Sequence, residues 1–259
     1  MKITFLGTCG GTEPMPGRRH SSFVVDHGGA LYWFDTGEGC SYTAHLLGLD
    51  LLATRAIFIT HRHLDHVGGL PNLLWTIRKL NTFSELDPRP LDDKTVKVFM
   101  PDMSIWDGVW NIVQKYQDIT FPIEAAPPTD GLVFERDGLR VVAAHNNHLG
   151  KPATGEPWES FSYRIEADGK SVVYSGDIAA PSDVESLLDN DDLVLMETGH
   201  HTVEDVCTYL LDPSRAPDRL GFVHHGRAIL ADANGELRKA RSIFGDSVFL
   251  AEDGMSLEV

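Results

Sequence analysis

Four side chains able to ligate a metal stand within six consecutive residues, His61-Arg-His-Leu-Asp-His66, and Gly68-Gly69 follow closely. A polar turn with surface histidines has no physical reason to reach that density. Imidazole nitrogen and carboxylate oxygen together suit zinc, iron or manganese. The run Arg55 to Thr60 is β-rich and ends where the histidines begin, so His61, His63, Asp65 and His66 can converge on one point from a single turning loop. Two ions need more ligands than one loop supplies, and the remainder must come from elsewhere in the chain. Such a pair, about 3.5 to 4 Å apart, lowers the pKa of a bridging water and polarises the bond it attacks, which is hydrolytic chemistry.

The elements that must hold this loop read as many short strands with helices between them. Lys2 to Leu6 alternates as a half-buried strand and breaks at Gly7-Thr-Cys-Gly-Gly-Thr12. Ser21 to Asp26 and Ala30 to Phe34 form a hairpin across His27-Gly-Gly29. Leu46 to Leu52 reads as a helix end, Pro71 to Leu80 as a helix with proline in its first turn, and Ser104 to Gln117 as an amphipathic helix. Asn81 to Lys94 is polar and rich in Pro and Asp, a surface loop or small insertion. Further strands are expected at Val96 to Met100, Leu139 to Ala144, Phe161 to Glu166, Ser171 to Tyr174, Leu193 to Met196, Leu220 to Val223 and Ser247 to Ala251. Helices are expected near Val203 to Leu211 and Gly235 to Phe244. Several strands end in histidine or aspartate, which suggests two sheets packed face to face with a site along one shared edge. Asp177 follows Val172-Val-Tyr-Ser-Gly176, so its carboxylate can project beyond a sheet edge.

The H-x-H-x-D-H loop after a strand resembles the hallmark of the metallo-β-lactamase superfamily. The resemblance extends through Trp33-Phe-Asp-Thr-Gly-Glu-Gly39, Tyr174-Ser-Gly-Asp177 and a histidine near the end of a C-terminal strand. The Asp-x-Gly-Glu-Gly form and the Gly-rich opening with Arg18, Arg19 and Ser21-Ser22 look most like the branch of tRNase Z, phosphodiesterases and arylsulfatase-like enzymes. The resemblance implies an α/β fold, a four-layer αββα sandwich spanning residues 1–259 as one domain, with the site at one edge of the packed sheets. It implies two divalent ions, zinc first, with Mn2+ or iron as alternatives. His61, His63 and His148 would hold one ion, Asp65, His66 and His224 the other, and Asp177 would bridge them. His145 remains an alternative to His148, and His225 to His224. Asp65 would also orient the attacking water, and His201 is the candidate proton donor to the leaving group. Asp35 and Glu197 are expected to steady ligands by accepting their second N–H. Thr202 could equally be the cap of a helix that leaves the adjacent histidines exposed.

Composition narrows the function. The 259 residues are 42% hydrophobic with formal net charge -16, and the three cysteines are too sparse for a disulfide framework. No apolar run approaches the roughly 20 residues that span a bilayer, and the N-terminus lacks a signal-peptide pattern, so no membrane association and a cytoplasmic location are expected. The acidic charge argues against a large nucleic-acid footprint, and tRNA-processing relatives carry a flexible arm after the third-ligand segment. Here only Leu149 to Ser160 is available for it. The expected activity is hydrolysis of a small or cyclic phosphodiester, or of RNA 3′ ends, by a metal-activated water. The alternatives are hydrolysis of a lactone, thioester or sulfate ester, and a non-catalytic metal-binding sensor. The resemblance also implies a homodimer, with no interface identified.

Overall fold

Period-two alternation and paired turn residues set the strands of this chain, and its computed structural model describes residues 1–82, 95–115, 118–119 and 121–259. In chain order the elements are β1 (Lys2–Gly7), β2 (Ser22–His27), β3 (Ala30–Phe34), α1 (Cys40–Leu46), β4 (Thr54–Phe58), α2 (Leu64–Val67), α3 (Leu70–Thr82), β5 (Val96–Phe99) and α4 (Met103–Gln114). They continue with β6 (Ile123–Ala126), β7 (Gly131–Arg136), β8 (Leu139–His145), β9 (Phe161–Ala167), β10 (Lys170–Tyr174) and a 3-10 helix (Pro181–Leu187). The chain closes with β11 (Leu193–Thr198), α5 (Val203–Leu210), β12 (Arg219–His225), α6 (Arg227–Phe244), β13 (Val248–Leu250) and β14 (Ser256–Glu258).

Among the described residues the strands form two mixed seven-stranded sheets, ordered β14-β1-β2-β3-β4-β5-β6 and β13-β12-β11-β10-β9-β8-β7. Phe5, Phe34 and Phe58 of the first sheet pack with Val141, Tyr163 and Tyr174 of the second in one apolar layer between them. A second layer, including Trp33, Ile57, Leu73 and Ile77, lies between the first sheet and α1, α3 and α4. A third, including Val194, Phe222, Val206 and Ile229, lies between the second sheet and α5 and α6. This is the expected four-layer αββα sandwich. Strands β3, β4 and β11 are buried along their whole length, and β3 accordingly reads as an unbroken apolar run, Ala30-Leu-Tyr-Trp-Phe34. Phe23, Phe34, Phe58 and Phe99 stack across four neighbouring strands with ring centroids 5.1, 4.9 and 4.9 Å apart. Each buried phenylalanine contributes about 1.5 to 3 kcal/mol by leaving water.

Several boundaries differ from the sequence reading. The helix before Leu52 stops at Leu46, because Gly48 takes φ +75 and leads the chain into a short 3-10 turn at Leu51–Ala53. Helix α6 starts at Arg227 rather than Gly235, and its helical path breaks at Asp232, whose Oδ1 accepts the Gly235 N–H and restarts the helix. The expected segment Gly235 to Phe244 is therefore its second part. The sequence reading passed over β6, β7 and β14. The expected surface loop Asn81 to Lys94 lies outside the described residues from position 83 to 94, while Asn81 and Thr82 belong to α3.

The topology puts chemistry at one edge. Strands β10, β11 and β12 run parallel, as do β3, β4 and β5. The segments following β4 and β10, the last residues of β12 and the loop after β8 therefore meet along a common border. They carry His61 to His66, Asp177, His224 and His148 respectively.

Candidate metal centre

His61 is buried just past the end of β4, and His63 caps α2 with extended backbone, so the chain enters the helix there. Asp65 falls in the first turn of α2, where the helix dipole favours a carboxylate, and His66 one residue on. Four residues of one loop thus face one region, as the spacing predicts.

The structure brings this loop together with three residues from distant segments. His148 Nε2 lies 3.7 Å and His61 Nε2 3.8 Å from Asp177 Oδ2, and His148 Nε2 lies 3.3 Å from His63 Nδ1. On the other side, His66 Nε2 and His224 Nε2 each lie 3.2 Å from Asp177 Oδ1, and 3.4 and 3.1 Å from Asp65 Oδ2. The two oxygens of Asp177 therefore face two separate groups, His61, His63, His148 and Asp65, His66, His224. In each group the potential ligand atoms lie within 4.8 Å of one another. A tetrahedral zinc with bonds of about 2.0 to 2.1 Å needs ligand atoms roughly 3.3 Å apart. The second group, at 3.1 to 3.4 Å, matches that spacing, and the first, at 3.3 to 3.8 Å, is slightly wider. His61 Nε2, His66 Nε2 and Asp177 Oδ1 are buried without a hydrogen-bond partner, a costly arrangement that a cation between them resolves. The residues present fit two divalent ions.

Hydrogen bonds behind the ligands hold the imidazoles in the required tautomer. Asp35 accepts from His66 Nδ1 at 2.7 Å, from the Thr60 amide at 2.7 Å and from the Tyr174 hydroxyl at 2.7 Å. The Thr60 hydroxyl donates to Asp35 and accepts from His61 Nδ1 at 3.0 Å. In the neutral ring this leaves Nε2 of both histidines bare toward the centre. Asp35 itself takes φ 55, and His224 takes φ 47. Gly199 makes room for the latter ring, since a Cβ there would come within 2.5 Å of His224 Nδ1.

Charge follows geometry. Burial pushes the Asp177 carboxyl up, but the surrounding His224, His66 and His61 outweigh it and hold it below the usual carboxylate range. Burial likewise raises Asp65 and is overcome by hydrogen bonds from His224 and His66. Burial pushes His61 well down, with His66 adding to the effect. His66 and His224 lose some basicity to burial, yet Asp177 more than restores it, and His224 rises to about 9.

The placements of the remaining candidates separate cleanly. His145 points away, donating to Asp130 at 2.7 Å and stacking on Trp158, so His148 is the histidine that reaches the centre. His225 is buried with Nε2 on the Ala251 carbonyl at 2.8 Å, and burial brings it down to about 4. His201, expected as the proton donor, has Nε2 donating to the Ile178 carbonyl at 3.0 Å and does not line the cleft. Its neighbour His200 does. The His200 Nδ1–H donates to Glu197 Oε1 at 3.0 Å and lies 3.8 Å from Asp177 Oδ2. That hydrogen bond raises the basicity of His200. Glu197 also accepts the His200 amide at 2.8 Å, pinning that residue beside the centre. Thr202 caps α5 through the Asp205 amide. The cleft over the centre holds about 350 Å³ and is lined by Gly10, Gly11, His63, Asp65, His200 and Arg227, among others. Cys9, Cys40 and Cys207 are free and buried. No helix among the described residues is long and apolar enough to cross a membrane.

Two sheets flanked by helices, with a histidine and aspartate centre on their shared edge, define a metal-dependent hydrolase of the metallo-β-lactamase fold. The chain matches the Beta-lactamase superfamily domain over residues 34–231 and belongs to that superfamily. It is 28% identical to a ribonuclease Z of Mycobacterium marinum, over 100% of this chain and 99% of the relative. The aligned stretch is 292 residues long against the chain's 259, so that relative carries insertions absent here. The short form of human tRNase Z superimposes with a TM-score of 0.76 at 23% identity, covering 100% of this chain and 99% of that one. A diphosphatase of the PhnP family superimposes with a TM-score of 0.68 at 19% identity, covering 100% and 97%.

Proposed function

We propose that this chain is a zinc-dependent phosphodiesterase with a compact phosphodiester as its substrate. The observation that carries the reading is Asp177, whose two oxygens face two complete ligand groups at spacings suited to a pair of ions. His61, His63 and His148 would hold one ion, Asp65, His66 and His224 the other, and Asp177 both. When bound, the ions supply a water ionised near neutral pH and positive charge against the phosphate oxygens. Asp65, at the cleft, would orient that water. Asp35 and Thr60 keep His66 and His61 in register. His200, which lines the cleft with its Nδ1 on Glu197, would hand a proton from its other ring nitrogen to the departing alkoxide, in place of His201.

Compactness of the substrate rests on what surrounds the cleft. The loop between β8 and β9 is only residues 146–160, too short for an RNA-gripping arm. Arg227 is the sole lysine or arginine among the described residues lining the cleft, and Glu13 clasps it through both terminal nitrogens at 2.9 and 2.6 Å. A polyanion would meet little free positive charge there, on a chain of net charge -16. A second reading, hydrolysis at RNA 3′ ends, is favoured by the ribonuclease Z relative that aligns along the whole chain. Kinetics of the zinc-loaded protein on bis(p-nitrophenyl) phosphate, a 2′,3′-cyclic nucleotide and a 3′-extended precursor tRNA would separate them. Higher kcat/KM on the small diesters is expected. Preference for the tRNA would install the second reading, and turnover confined to lactones, thioesters or sulfate esters would overturn both.

A further inference from the structure

We propose that Asp183 is a positioning residue that sets the first ligand group, by tying the loop that carries His148 to the segment that carries Asp177. The inference rests on the ligand assignment above. Asp183 Oδ2 accepts the Ala179 amide at 2.9 Å and the Asn147 amide at 3.2 Å, while Oδ1 accepts from Asn147 Nδ2 at 2.8 Å. Ala179 stands two residues after Asp177, and Asn147 immediately before His148. One carboxylate therefore joins two segments distant in sequence at the point where each presents a ligand.

The loop after β8 is held from two sides. Asn146 anchors it to β9, accepting from Ser160 Oγ at 2.7 Å, donating to Ser162 Oγ at 3.1 Å and accepting the His148 amide at 3.1 Å. Those bonds fix the loop against its own sheet neighbour. They do not fix it against Asp177. Across that gap His148 Nε2 and Asp177 Oδ2 are 3.7 Å apart, beyond hydrogen-bond reach, so the two ligands do not hold each other. Asp183 supplies the missing tie through three bonds from neutral donors to a charged acceptor, the stronger kind of hydrogen bond. It sits in the first turn of the 3-10 helix Pro181–Leu187, half-buried, on the wall of a cavity of about 740 Å³ that also includes Asn147 and Glu185. The second group, Asp65, His66 and His224, has no corresponding dependence on this loop. Loss of Asp183 should therefore weaken one ion selectively.

The test is metal titration of purified wild type, Asp183→Ala and Asp183→Asn, with zinc content read after dialysis against graded chelator. Wild type should hold two ions. Asp183→Ala should lose one about 10- to 100-fold more readily, the range typical for removing a group behind a metal ligand, and keep the other unchanged. Asp183→Asn should recover most of the loss. Its amide oxygen can take the two backbone N–H groups and its NH2 can donate to Asn147 once that side-chain amide turns over. A purely structural residue would lower the melting temperature of the metal-free protein and leave both affinities alone. Two ions retained by Asp183→Ala with wild-type affinity would overturn the inference by itself. Wild type binding no metal would overturn the ligand assignment and the inference together.

Discussion

His200 and His201 are one peptide unit apart and differ in everything their rings touch. Glu197 holds the first over the cleft, and the Ile178 carbonyl holds the second away from it. Substituting His200 by Gln should lower kcat on a diester with a poor leaving group by roughly 10²- to 10⁴-fold, whereas His201→Gln should stay within a fewfold of wild type in the same steady-state assay. Equal effects, or a larger one at His201, would refute the assignment. At this scale the sequence was informative where chemistry is packed locally. His61, His63, Asp65 and His66 are legible as a candidate site because four side chains able to ligate a metal share one turn. Asp177 became legible once they were known. The choice between His200 and His201 was not, because it depends on which backbone amide the buried glutamate at the end of the preceding strand, Glu197, engages. The support given by Thr60 hides for a similar reason, since a threonine ending a strand looks like any other until Asp35 is placed beside it.

Elements carry the site through their ends, and two of those ends are tied to it by exposed or capping contacts. The loop at Glu13 and the start of α6 are joined by the Glu13–Arg227 clasp, whose hydrogen bonds lower the Glu13 carboxyl to about 2 from an ordinary 4.5. An acid depressed in the folded state adds stability above its ordinary range, and that contribution disappears as pH falls through the folded value. The clasp should thus be closed at neutral pH, lose its contribution to stability progressively from about pH 4.5 downward, and open as pH falls through about 2. An NMR titration of the Glu13 carboxyl should show a midpoint near 2 that returns toward 4.5 in Arg227→Gln. A wild-type midpoint near 4.5 would contradict it. At the start of α5, Thr202 accepts the Asp205 amide at 3.1 Å, so Thr202→Ala should cost about 1 kcal/mol in a urea unfolding experiment. Most strands were readable from alternation. The pairing of β7 with β8 was missed although its turn, Asp137-Gly138, takes φ 52 and 82, the two positive values that an Asp-Gly hairpin favours. Strands β6 and β14 are four and three residues long and lean on partners that periodicity does not reveal.

Across the whole molecule, the αββα layering does one thing that no element does alone. It brings the ends of β4, β10 and β12 and the loop after β8 to a single edge, so that side chains able to hold a metal meet there from four parts of the chain. That layering was legible as two sheets with a shared edge, whereas the meeting of the particular histidines was legible only through family resemblance. The most direct test is elemental analysis of the purified wild type beside Asp177→Ala, with bis(p-nitrophenyl) phosphate turnover measured on both. The account predicts about two divalent ions per chain and measurable turnover in the wild type, with at most one ion and no turnover in the variant. A wild type without metal, or a variant that keeps both ions and its activity, would contradict it.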